Sequence, residues 1–465
     1  MAMVHARRAA GSGIPGAGAS TRLPTVARTS AVPRTSAVPR AHAVSRAHAV
    51  SRAPASGGLA APVDARERHA PDAAVLAIVV ALTGLGILMV YSSSAMSGYA
   101  DGDGTLATVG PQAVWAALGM VGLLIAMRSD YRWLRLLSLP AVLGAGALLA
   151  LVLFSPWRVE VSGSTQWLKL PGLPVIQPSE FAKLALVVYL AHWMARRGAE
   201  IGSIRGGLIP FVAIVAPFLI LIFKSPDLGS TAVLGIVVTV MLFVAGGNLL
   251  GILALGGGAV AAAAMFLKDY QVERLQAFQN PFDHALTTGF HSVQGLLALG
   301  LGGLFGAGLG DRAAAGGIVL PNAHNDYIFA VIGQEFGFVG ASLVVIAFIL
   351  LAWRGMRISQ AAPDTFGSLL AAGITAYLCV QAFVNIGVVV TLLPVTGITL
   401  PFVSAGGSSL IVSLAAVGIL LSISRETAAH GGWVDASGDR GRRHGRAHLP
   451  GPGRRPLAPR TAGRA

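Results

Sequence analysis

The chain has 465 residues, 54% of them hydrophobic and 12% charged, with 34 Lys and Arg against 20 Asp and Glu for a formal net charge of +14. Its mean hydropathy is +0.69. A soluble domain carries about 25% charged residues, so this composition excludes a chain that covers its own apolar surface in water and points to lipid as the solvent. Most of the basic excess lies in the two tails and the short loops between apolar runs. That is the pattern of membrane topology and surface electrostatics, and no nucleic-acid partner is expected.

Residues 1–72 hold no apolar stretch of signal-peptide length, and residues 29–52 repeat TSAVPR, TSAVPR, AHAVSR, AHAVSR. Small residues, Pro and spaced Arg bury too little surface to fold, so this segment reads as a disordered basic tail. Apolar runs follow at 73–92, 111–127, 136–154, 177–195, 207–223, 229–245, 249–267, 327–352, 366–390 and 404–423. Each approaches the length needed to span a bilayer as a helix. The expected fold is therefore all-α: a polytopic membrane domain over 73–425 with about ten spans, and a second disordered basic tail over 426–465. Arg128, Arg132 and Arg135 follow the second run, Arg196, Arg197 and Arg205 the fourth, and Arg354 and Arg357 the eighth. With the two basic tails, these alternate correctly if both termini are cytoplasmic. The longest outside segment, 268–326, lies between the seventh and eighth runs. Its Gly-rich stretch 295–310 suits a re-entrant loop, which needs protein or a cavity around it. The one cysteine, Cys379, lies in an apolar run and can form no intrachain disulfide.

Charges inside spans are expensive and mark candidate functional sites. Glu180 and Lys183 lie three apart near the outer end of the fourth run, so they share one helix face. They read either as a charged cavity wall or as a structural ion pair. His192, near the other end of that run, reads as interfacial. Asp227, before Leu-Gly-Ser-Thr, suits a helix N-cap. Asp326, preceded by His324, closes the long loop at the mouth of the eighth run; it reads either as a general base or as another N-cap. Glu335 follows nine residues later, which on one helix turns it to the opposite side, so the two are not the paired carboxylates of a glycoside hydrolase. Lys268, Arg274 and Arg312 are cations that can meet a pyrophosphate, or solvated loop charges. Gly406, Gly407, Ser408 and Ser409 open the last run, where free N–H groups can bind an anion or small residues can serve capping and packing. No Walker loop, dinucleotide fingerprint or Cys/His metal cluster is present in the sequence.

The segments GSTQWLKLPGLPVIQPSEFAKLALVVYLAHWMARR (163–197), SPDLGSTAVL (225–234), ERLQAFQNPFDHALTTGFHSVQGLLALGLGGLFGAGLG (273–310), LPNAHNDYIFAVIGQEFGFVG (320–340) and NIGVVVTLLPVTGITLPFVSAGGSSL (385–410) together resemble the SEDS family. The resemblance covers roughly 73–426, and its late segments are closer to the division branch, FtsW, than to the elongation branch, RodA. It implies ten transmembrane helices with a large external loop between the seventh and eighth. It implies a peptidoglycan glycosyltransferase that polymerises lipid II at the outer face of the bacterial cytoplasmic membrane. For the division branch, it implies work at the septum with a class B penicillin-binding protein and other divisome proteins. The essential Asp of the family falls on Asp326, and the Glu and Lys that line its site fall on Glu180 and Lys183. Arg274, His324, Ser408 and Ser409 are added here as candidate substrate contacts, and a divalent cation, Mg²⁺ or Mn²⁺, is implied as an assistant with Asp326 as its candidate ligand. The chain departs from the family with Gln166 for a common Arg, Asn325 for Thr, Gln334 for Glu and Ala405 for Tyr. Two other functions fit intramembrane charges and ten spans: a lipid II flippase and a non-catalytic division scaffold.

Overall fold

The computed structural model describes residues 67–427 apart from 102–105, 162–163, 173, 266, 268 and 311–322. Nearly all of both tails, including the hexapeptide repeat, and the candidate cations Lys268 and Arg312 lie outside the described residues. Each of the ten apolar runs forms a helix: α1 (Ala73–Asp101), α2 (Leu106–Arg128), α3 (Trp133–Phe154), α4 (Pro178–Arg197), α5 (Ile209–Lys224), α6 (Leu228–Val244), α7 (Leu249–Met265), α10 (Ile328–Ala361), α11 (Thr365–Val389) and α12 (Gly407–Ser424). The long segment before α10 adds α8 (Asp269–Gln279) and α9 (Phe290–Leu301). Among the described residues, α1, α2, α3, α5 with its preceding turn, α10, α11 and α12 are long and apolar enough to cross a membrane. Three expected spans fall short of that measure. The charges of α4 dilute its apolar character, and α6 and α7 have 17 residues each. The chain is a multi-pass membrane protein.

Local chemistry sets the helix starts. Asp72 Oδ1 accepts from the N–H groups of Ala74 (2.9 Å) and Val75 (3.1 Å) at the head of α1. Asp227 Oδ1 accepts from Ser230 N (2.9 Å) and Asp364 Oδ1 from Gly367 N (2.8 Å), so α6 and α11 begin on carboxylate caps. Pro178 starts α4, where its missing N–H costs nothing.

Four short strands accompany the helices of this all-α fold: β1 (Glu67–Arg68), β2 (Arg158–Val161), β3 (Ser164–Leu168) and β4 (Glu426–Thr427). Strands β2 and β3 pair as a hairpin in the loop between α3 and α4, where apolar periodicity is too short to register. Strands β1 and β4 pair antiparallel, so the folded unit extends beyond 73–425 at both ends.

Helices α11 and α12 are buried along most of their length, and α4 packs against α11. Helices α2 and α3 turn large apolar side chains outward, such as Ile125, Leu136 and Leu143. In water such a face is an aggregation surface; in hydrocarbon it is the lipid contact. The basic loops gather at one end of the bundle. There Arg132 bridges Glu426 (2.6 Å) and Asp364 (3.4 Å), Arg135 also holds Asp364 (2.8 Å), and Arg354 reaches Asp72 (3.6 Å).

Helix α10 is not continuous. Gly337 has φ 67° and ψ −165°, a conformation that divides a buried half, 328–336, from a longer second half. The break frees backbone groups at membrane depth, where each unpaired group costs several kcal/mol. The Gly-rich segment after α9 meets them. Ala307 N donates to Gln334 O (2.9 Å) and Gly308 N to Glu335 O (3.1 Å), while Phe338 N donates to Gly303 O (2.9 Å) and Val339 N to Leu304 O (3.1 Å). Of the Gly-rich stretch 295–310, residues up to Leu301 belong to α9, and residues 303–308 bond into the helix break. A side chain at Gly306 would run into the Glu335 carbonyl. Gly306→Ala should therefore lower the thermal midpoint of the detergent-purified protein by several degrees, with about 1–3 kcal/mol from the positive φ alone. Gly235→Ala, in open space on α6, should leave the midpoint unchanged or raise it.

Candidate active site

Five elements begin or turn at the end of the bundle opposite the arginine cluster: α4, α6, α10, α12 and the segment 396–406. Their polar side chains form one connected system. On α4, Lys183 Nζ donates to Glu180 Oε1 (2.7 Å) and to Gln381 Oε1 (2.6 Å), and Tyr377 Oη donates to Glu180 Oε2 (3.2 Å). Glu180 and Lys183 are 2% and 1% exposed. The ion-pair alternative is what the geometry shows: both charges are closed in by Tyr377 and Gln381. A buried pair of this kind is held by its extra hydrogen bonds, because desolvation offsets most of the Coulomb gain.

Helix α11 supplies the connections through Tyr377, Gln381 and Asn385, spaced four apart and so aligned on one face. Gln381 Nε2 donates to Thr399 O (3.2 Å) and Ser409 Oγ (3.3 Å). One turn on, Asn385 Nδ2 donates to Ile398 O and to Asp326 O, both at 2.7 Å. Ser408 Oγ accepts from Gln177 N (3.1 Å), and Gln177 Nε2 donates to Gln166 Oε1 (3.2 Å). Ser408 and Ser409 are thus bonded within the protein, and Gln166 joins the same system in place of the family's Arg. Asp227 combines its capping role with a bond from Ser179 Oγ (3.1 Å). His324 lends its carbonyl to Ala405 N (2.8 Å), which ties the Asp326 loop to the approach of α12.

The Asp326 carboxyl stands apart from this bonding, while its main-chain carbonyl accepts from Asn385. The N-cap position of α10 is Tyr327, and no side chain caps that helix, so the capping alternative for Asp326 is not realised. Its carboxyl is half-buried, beside His291 of α9 and Arg274 of α8. Burial raises the Asp326 carboxyl above the usual carboxylate range, and its own backbone N–H, His291 and Arg274 act against that rise. Burial lowers His324, favouring its neutral form. The His291 and Tyr327 rings lie 5.6 Å apart, and Arg274 is exposed. Glu335 is turned to α1, where it accepts from Ser92 Oγ at 2.5 Å. The two carboxylates of this segment therefore serve different places, as their spacing requires. A polar stripe at 377, 381 and 385 within an apolar run was the available signal for the α11 residues, which the sequence reading passed over. His291 carried no comparable signal. Among the described residues, no group of three or more His, Cys, Asp and Glu converges as a metal cluster.

Residues 73–429 match the FTSW_RODA_SPOVE family model, described as cell cycle protein. A protein named probable peptidoglycan glycosyltransferase FtsW from Trichlorobacter lovleyi is 40% identical over 358 residues, covering 76% of this chain and 93% of that one. Stage V sporulation protein E of Bacillus subtilis is 38% identical over 366 residues, 77% of this chain and 98% of its own. Among solved structures, a chain described under structural coordination of polymerization and crosslinking by a peptidoglycan synthase complex is similar with TM-score 0.62 and 29% identity, over 77% of this chain and 98% of that chain. The rod shape determining protein RodA of Thermus thermophilus is similar with TM-score 0.57 and 28% identity, over 77% and 97%. With the family's matched region coinciding with the helical domain, the chain belongs to the FtsW/RodA/SpoVE family of cell cycle proteins.

Proposed function

We propose that this chain is a peptidoglycan glycosyltransferase that polymerises lipid II, with Asp326 as the general base. The observation that carries the assignment is the Asp326 carboxylate: it caps no helix and is raised by burial, while the surrounding loops are tied down by Asn385 and His324. The reaction transfers a growing glycan from its polyprenyl pyrophosphate to the 4-hydroxyl of an incoming lipid II. That hydroxyl becomes a competent nucleophile as Asp326 takes its proton. The leaving pyrophosphate gathers negative charge, and the exposed Arg274 on the same side is the candidate cation to meet it. Lys183 is held by Glu180 and Gln381, so its role is to fix α4 against α11; reaching a phosphate would require exchanging those partners. Asp326 is the residue that would hold a divalent cation, Mg²⁺ or Mn²⁺, and the ion would supply charge neutralisation of the leaving group. The pyrophosphate bond supplies the driving force, so no ATP site is required.

The site lies at the end opposite the arginine-rich loops, which supports an outward-facing site with both termini cytoplasmic in a bacterial inner membrane. Similarity to FtsW-named relatives supports a role at the division septum with other divisome proteins, and similarity to a peptidoglycan synthase complex supports a class B penicillin-binding protein as the crosslinking partner.

Asp326→Asn should lower glycan formation roughly 10²–10⁴-fold in the complex with a transpeptidase-dead partner, at unchanged thermal midpoint; polymerisation at the wild-type rate would overturn the assignment. The rate should also rise with pH through a midpoint above that of an ordinary Asp, because the base acts only when ionised and burial holds its proton to higher pH. Arg274→Gln removes a nearby positive charge that favours the ionised form, so the acid limb of kcat/KM should move further up in pH.

A further inference from the structure

Asn385 is 1% exposed, and its side chain is oriented without ambiguity. An amide nitrogen carries two hydrogens and its oxygen none. Both Asn385 Nδ2 hydrogens are spent on carbonyl oxygens, those of Asp326 and Ile398, each at 2.7 Å. Flipping the amide would set its oxygen against two carbonyls, so the observed orientation is the one the surroundings enforce. Asn385 Oδ1 is therefore fixed as an acceptor, and among the described residues no protein group meets it. It belongs to the same planar amide that donates to the Asp326 main-chain carbonyl, which ties it to the segment that carries the proposed base. A buried acceptor left unmet costs about 1–3 kcal/mol, a cost that persists in functional sites where a ligand supplies the partner. A second buried atom near Asp326 also lacks a protein partner. His291 Nδ1 is buried without a protein partner, with its ring against Tyr327.

We propose that Asn385 Oδ1 is a substrate-binding group that accepts a hydrogen bond from an N–H or O–H of the sugar held beside Asp326, with His291 Nδ1 completing the polar lining of that subsite. The inference rests on the glycosyltransferase reading and deepens it by naming how the sugar is recognised. The fixed polarity matters. An acceptor pinned by two carbonyls selects for a donor, and on an N-acetylated amino sugar the donors are the acetamido N–H and the ring hydroxyls. A sugar lacking that donor leaves the buried oxygen unpaired, so it is rejected more strongly than loss of one contact at an open surface would cause.

The test is direct binding, which does not depend on turnover. The full-length chain is reconstituted in nanodiscs. It is titrated with the lipid-linked disaccharide pyrophosphate, with an analogue N-methylated at the acetamide, and with ring-deoxy analogues lacking one hydroxyl each. The wild type should bind one of these analogues roughly tenfold or more weaker than the native compound, and which one identifies the donor. Asn385→Leu should bind the native compound with the same loss and should not discriminate against that analogue. A general loss of folding would weaken all compounds alike, whereas recognition is lost for one group only. If Asn385→Leu fails to fold, Asn385→Thr takes its place, since a hydroxyl can keep one carbonyl bond, and reduced discrimination is the expected result. Equal binding of all analogues by the wild type, or undiminished discrimination in the variants, would overturn the proposal and assign the amide a purely structural role. Polymerisation by the same wild-type preparation is measured in parallel. Asn385-dependent discrimination without polymer would sink the catalytic reading and leave this one standing, and polymer without discrimination would do the reverse.

Discussion

A backbone at membrane depth has no water to turn to, and that constraint organises the site-bearing half of this protein. Helix α10 breaks at Gly337, and the groups freed there are taken up by residues 303–308, which themselves could not lie in hydrocarbon unpaired. Each segment makes the other permissible. The approach is so close that Gly302, Gly306, Gly333 and Gly337 have no room for side chains. Because the first half of α10 is anchored in this way, the loop that ends at Asp326 arrives at a defined place. A continuous helix packed only by side chains would fix it less firmly.

The second organising feature is electrostatic. Residues 1–66 carry nine Arg and one Asp, and residues 428–465 carry eight Arg and two Asp. The whole net charge of +14 therefore resides in the tails, and the helical domain between them is neutral overall. Inside that domain charges occur as closed groups: Glu180 with Lys183, and the Arg132 cluster with Asp364 and Glu426. Such groups are weak sources of stability, since desolvation opposes their attraction, but their geometry is specific. Asp326 differs in being held by its main chain while its carboxyl stays uncommitted to any cap, which suits a group that must exchange a proton.

Helix α11 joins these features. Its three polar side chains meet the α4 ion pair, the 398–399 segment with Ser409, and the Asp326 loop in successive turns. Buried polar networks of this kind specify one arrangement when every member is satisfied. Among the described residues no protein group meets Asn385 Oδ1, the remaining acceptor on this stripe.

Apolar run length placed all ten principal helices in the sequence, because the cost of leaving hydrocarbon is summed locally over about twenty residues. Asp227 was legible as a cap for the same local reason. The alternatives at Glu180 and Lys183 could not be separated in the sequence, since what closes them lies 197 and 198 residues away on α11. The break at Gly337 was equally hidden. A lone Gly in a helical pattern is compatible with continuity, and only the hydrogen bonds from residues 303–308 make the positive φ affordable. Strands β1 and β4 are two residues each, too short for any periodic signal, and exist because α1 and α12 bring the chain ends together. Sequence alone determined where the apolar helices lie, because that follows from local composition and pattern. Tertiary structure decided which polar groups bond to one another and which meet no protein partner, because hydrogen bonds between segments tens to hundreds of residues apart are fixed only by packing.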